Sequence, residues 1–157
     1  MSTEFTRGAA PLMASQTLQL VQHANQVSQA VQSEVSKHLQ EKGHSTMTSS
    51  ALAFLSVLEG GVTCGSDIAR HLGVSRQMVA KTVKELKSAG YIAQQNAFGK
   101  QKEILLTQQG DQVLNDAKQV LAVIDKTLSQ SLGSKHLFAT NETLKKLSFV
   151  LEMSGMS

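Results

Sequence analysis

The stretch SDIARHLGVSRQMVAKTVKELKSAGYI, Ser66 to Ile92, limits the fold of this chain more than any other. It holds two helical periodicities interrupted only by Leu72-Gly73-Val74-Ser75. A glycine at Gly73 can take the positive φ that ends a helix. A serine at Ser75 offers the side-chain oxygen that starts the next one. So short a turn keeps two helices together yet points the second away from the first. One can then serve the core while the other leaves it.

The second of these helices divides by angle. At 100° per residue from Arg76, Lys87 falls at about 20°, Ala80 at about 40°, Lys84 at about 80°, Gln77 at about 100° and Lys81 at about 140°. Met78, Ala89, Thr82, Leu86, Val79 and Val83 fall between about 200° and 340°. One half is fit to bury, and the other presents cations, an amide and a small residue, with Glu85 on the border. A helix of this kind fits the major groove of B-DNA, with its N-terminal residues at base edges and its cations at phosphates. Arg76 suits a guanine edge and Gln77 an adenine edge. Ala80 lets the backbone approach closely. An ordinary amphipathic surface helix shows the same split, but the preceding short helix, the glycine turn and the extended runs that follow set this one apart.

The rest of the 157 residues frames this motif with helices. Residues 12–42 read as one long helix, with Leu20, Ala24, Val27, Val31, Val35 and Leu39 on one face. A second helix runs from about Thr48 to Leu58, and a third, short one is capped by Thr63. After Gly90 the period changes: YIAQQ and KEILLT are strand-like, with the turn chemistry of NAFGK between them, so a β-hairpin is expected. Helical period returns from Gln108, with a seam of Leu114, Ala117, Leu121, Ile124 and Leu128. SLGSKHLF reads as a break before a last helix over about 140–153.

Charge is concentrated in the middle. The net +3 comes from residues 64–102, where Arg70, Arg76, Lys81, Lys84, Lys87, Lys100 and Lys102 face only Asp67 and Glu85. The flanking segments are each slightly acidic. A localised basic patch is the electrostatic footprint of nucleic-acid binding, although a solvated basic surface has the same composition. No apolar run approaches the roughly 20 residues that span a bilayer, and no signal-peptide core opens the chain, so a cytoplasmic location is expected. A single cysteine, Cys64, fits a reducing compartment.

Residues 62–110 resemble the winged helix-turn-helix of the MarR family of bacterial transcriptional regulators. The likeness is carried by Asp67-Ile68-Ala69, Leu-Gly-Val-Ser, the valine-rich second helix, Gly90 before a strand, and Leu-Thr-x-x-Gly at residues 106–110. The order of the flanking helices extends it over nearly the whole chain. The resemblance implies a mainly α fold with a small β-hairpin wing, a winged helix-turn-helix lobe at 47–110, and dimerisation helices at 1–46 and 111–157. It implies a homodimer on a palindromic double-stranded operator, acting as a repressor relieved by a small-molecule effector. Unpaired apolar faces on the terminal helices point to the dimer independently.

The expected DNA contacts are Ser75, Arg76, Gln77, Ala80, Lys81 and Lys84, with Lys100 and Lys102 from the wing. Wings of the family carry an Asp-x-Arg motif that this one, QQNAFGKQK, lacks. Lys100 stands near the arginine's place, and a lysine lacks the planar fork that suits a narrow minor groove. Sequence discrimination is therefore expected from Arg76, Gln77 and Lys81. The poor wing also suits a rival reading, a winged-helix protein–protein module without DNA binding.

By the same resemblance an effector pocket falls to Met13, His38, Met47, Phe54, Leu55 and Leu114, which read equally as plain core. Cys64, at a helix start, is placed for redox sensing or for simple packing. Glu34, His38 and Glu41 share a helix face but read as solvated polar surface, so no metal is expected. No cofactor or enzyme signature is present, and Asp111 and Asp116 read as isolated helix-surface carboxylates.

Overall fold

The computed structural model of the chain describes residues 10–44, 47–97, 99 and 101–155. A short 3-10 turn, Leu12–Ala14, leads into α1 (Gln16–Glu41). Then follow α2 (Ser49–Glu59), α3 (Gly65–Leu72), α4 (Arg76–Ser88), β1 (Ile92–Asn96), β2 (Lys102–Leu106), α5 (Gln108–Leu132) and α6 (Ser134–Met153). The expected fold class stands: the described residues hold six α-helices and one antiparallel hairpin, with Ile92 opposite Leu106 and Asn96 opposite Lys102.

Local chemistry explains most of the boundaries. The side chains of Ser15, Thr48, Ser75 and Thr107 each accept a hydrogen bond from a backbone N–H three residues on, which starts α1, α2, α4 and α5. Gly73 ends α3 at φ 65°, in the left-handed region. Thr63 does not cap α3. The N-cap is Cys64, without a side-chain cap bond, because this segment is engaged by the hairpin: Ile104 N–H donates to the Thr63 carbonyl at 2.9 Å, and Cys64 bridges to Glu103.

One core cluster joins all of these elements except the 3-10 turn and α6. Phe54, Leu55 and Leu58 of α2 meet Ile68 and Ala69 of α3, Val79, Val83 and Leu86 of α4, Ile92 and Ile104 of the hairpin, and Val35, Leu39, Val113, Leu114, Ala117 and Val120 of α1 and α5. The structure departs from the sequence expectation at three places. The long first helix begins at Gln16, after a separate 3-10 turn, since Ser15 caps it. The lobe end of the α5 seam is rotated to Val113, Leu114, Ala117 and Val120, leaving Leu121 40% exposed. The break before α6 is confined to Gly133, so α6 starts at Ser134 rather than near 140.

The two ends of the fold are covered very differently. Val35 and Leu39 of α1 are buried, but Leu20, Val21 and Val27 of the same helix are exposed. No residue of α6, all of it described, is buried. Phe138, Leu144, Phe149, Val150 and Leu151 all stand exposed.

Candidate nucleic-acid interface

α4 is anchored along a narrow arc and free elsewhere. Val79, Val83 and Leu86 are buried. Met78, on the buried half by angle, is 50% exposed, because α4 is packed along the arc of those three residues and Met78 lies to one side of it. Arg76, Gln77, Ala80, Lys81, Lys84 and Lys87 are exposed. Among the described residues, none of Arg76, Lys81, Lys84, Lys87 and Lys102 has an acidic partner within ion-pair distance. Their charge is uncompensated and directed to solvent.

Two clefts flank the helix. The first, about 760 Å³, runs between α4, the start of α3 and the wing strands, and gathers Arg76, Ala80, Lys84 and Lys102. Lys87, Ser66 and Gln94 join them there. The angular split already puts Lys87 on this side; Ser66 and Gln94 come from other elements, and no spacing in the sequence connects them to it. The second cleft, about 910 Å³, lies between α4 and the start of α2, and takes Lys81 and Lys84 from the other flank. Gln77 is exposed and lines neither. The Ser75 hydroxyl accepts from Met78 N–H at 3.0 Å, so its first role is to hold the start of α4. Lys100 lies outside the described residues.

The six expected effector residues fall in different environments. Met47, Phe54, Leu55 and Leu114 belong to the core cluster. His38 is half-buried, and Met13 is 76% exposed on the 3-10 turn. Glu34 lines a small cleft with Val120, Val123 and Ile124. Cys64 is half-buried, its Sγ 3.2 Å from Ser66 Oγ, and the hydrogen bond with the Ser66 hydroxyl and that with its backbone hold the thiol below its ordinary range.

Asp116 is not a surface carboxylate. It is 3% exposed and receives Lys42 Nζ at 3.3 Å, Gln112 Nε2 at 3.1 Å and His44 Nε2 at 2.9 Å. Burial pushes the carboxyl up, and the bonds from His44, Gln112 and Lys42 outweigh that, leaving it below its ordinary value. The difference from the surface reading has a physical cause. Asp116 shares a face with Val113, Ala117 and Val120, so a carboxylate within an apolar stripe is the one signal the sequence offers; Gln112 lies one turn back on α5, but Lys42 and His44 are distant along the chain.

The chain is a winged helix-turn-helix lobe built onto long terminal helices, the fold of MarR-family regulators. A crystal structure of a MarR family transcription regulator superposes with a TM-score of 0.75 at 17% identity, over 90% of this chain and 95% of that one. The PcaV transcriptional regulator from Streptomyces coelicolor, in complex with its natural ligand, gives 0.69 at 17% identity, over 89% and 96%. MepR of Staphylococcus aureus in a DNA complex gives 0.70 at 16% identity, over 87% and 98%. No protein-family model and no curated relative matches the sequence. At these identities the likeness establishes the fold.

Proposed function

We propose that this chain is a sequence-specific DNA-binding transcriptional regulator that works as a homodimer, most simply a repressor released by a small molecule. The observation that carries this reading is the row of unpaired cations on the free face of α4, continued by Lys102 on the wing. Burying five uncompensated positive charges against a neutral partner would cost heavily, whereas a phosphate backbone neutralises them and releases counterions. Ser75, Arg76, Gln77, Ala80, Lys81 and Lys84 are the proposed contacts, with Lys102 and Lys100 from the wing. Two of the similar structures hold DNA and a natural ligand, which supports both halves of the proposal.

The dimer is supported by the uncovered apolar faces of α1 and α6, with residues 1–46 and 111–157 as its dimerisation regions. Two-fold symmetry would place two copies of α4 about one DNA turn apart on a palindrome. His38, Met47, Phe54, Leu55, Leu114 and Met13 remain the proposed effector surroundings, and Cys64 a proposed oxidant-sensitive group. A non-enzymatic role and a cytoplasmic location are proposed by analogy with the similar structures, which are transcription regulators. No helix among the described residues is long and apolar enough to cross a membrane.

Selection of bound duplexes from a random pool tests the reading, with the full-length chain and affinities measured across salt. A palindrome with steep salt dependence is the expected result. A flat response to salt favours the second reading, a protein–protein module, for which the lysine-only wing is the specific observation.

A further inference from the structure

Tyr91 sits where the lobe meets the terminal helices and is held from both sides. Its backbone N–H donates to Leu86 O at 3.0 Å, closing α4. Its carbonyl accepts from Thr107 N–H at 3.1 Å, and Thr107 Oγ1 donates to Gly90 O at 2.6 Å, which fastens the same turn to the start of α5. A Cβ on Gly110 would overlap the Tyr91 carbonyl oxygen, so the first turn of α5 lies directly on it. Tyr91 is 3% exposed, and its hydroxyl reaches His44 Nδ1 at 3.1 Å.

His44 completes the path. It follows α1, is 7% exposed, and holds Asp116 of α5 through Nε2 at 2.9 Å. A carboxylate can only accept, so Nε2 carries the proton, and in the neutral ring Nδ1 accepts from the Tyr91 hydroxyl. With the neutral ring the roles along the chain Tyr91–His44–Asp116 are thereby ordered. Lys42 and Gln112 satisfy the other carboxylate oxygen, and no buried side-chain N or O among the described residues lacks a partner. A satisfied buried network of this kind fixes geometry more than it adds stability.

From this joint we infer that Tyr91, His44 and Asp116 are positioning residues for DNA recognition: they lock α4 to α5 and the end of α1, and so set the separation of the two recognition helices in the dimer. This rests on the regulator reading above. None of the three lies on the free face of α4, so they act on spacing and leave each half-site contact alone.

The test uses the full-length protein and the palindrome found by selection, with its centre lengthened or shortened by one to three base pairs. Wild type should lose at least about tenfold in affinity at a one-base-pair change. Tyr91→Phe, which removes one hydroxyl, and the isosteric Asp116→Asn should bind all spacings within about threefold, with single half-site affinity unchanged. Variants that keep the wild-type spacing ratios overturn the inference. So do variants whose half-site affinity falls in step with melting temperature, which marks a merely structural role. A second arm needs no DNA: spin labels on Gln77→Cys in a Cys64→Ser background report the distance between the two lobes. Broadening of that distribution in Tyr91→Phe is expected, and an unchanged width overturns the lock. If wild type selects no palindrome, the regulator reading fails, and the distance measurement still decides the lock.

Discussion

Asp116 shows at the scale of a single residue how burial and partners set a charge. Its carboxyl binds a proton less readily in the folded chain than in the unfolded one. The stability it contributes is therefore complete above the ordinary carboxylate value and disappears as pH falls below about 4. Asp116→Asn should melt below wild type at pH 7, and the gap should close as pH is lowered from about 4. Melts followed by circular dichroism check this, and a gap constant with pH would dismiss the ion as the cause. Gly110→Ala is expected to be destabilising by about 1–3 kcal/mol, because the added Cβ meets a backbone carbonyl that cannot swing away; denaturant titration reads it. These residues are poorly legible in the sequence. His44, Tyr91 and Asp116 belong to no common period, and only the folded chain brings them together.

At the scale of elements the sequence is far more legible, since helix ends and faces are set by near neighbours. Ser75 starts α4 and Gly73 ends α3 as their residue types require. Ser75→Ala should cost about 1 kcal/mol of stability and fray the N-terminal end of α4, measurable as faster amide exchange at Met78. Lys84→Ala should weaken DNA binding evenly across sequences and reduce the salt slope by about 1, while Gln77→Ala should relax discrimination at one base pair and leave the slope intact. A binding titration over salt separates the two outcomes. Where element reading fails, competition is the reason. Thr63 has the chemistry of a cap, but its segment is recruited by β2. His136 and its neighbours have the composition of a break, yet they continue α6 directly from Gly133.

At the scale of the whole molecule, apolar surface is distributed unevenly. The lobe and the adjoining ends of α1 and α5 share one core, whereas α6 buries none of its residues in a single chain. If α6 forms the proposed dimer, Leu144→Glu with Phe149→Glu should give a monomer in sedimentation and abolish binding to the proposed palindrome, with the lobe's fold retained in the amide spectrum. Persistence of the dimer would move the interface elsewhere. Helical periodicity reveals these apolar faces but not what covers them, because a single chain's pattern cannot name its partner.

The fastening of Tyr91 to the first turn of α5 places a short joint at one end of a long arm. α5 has 25 residues, about 37 Å of helix. A rotation of only about 5° at that joint sweeps the far end through about 3.3 Å relative to the lobe, close to the roughly 3.4 Å between successive base pairs. In the proposed dimer, a small turn at Tyr91 would therefore count as a displacement of about one base-pair step.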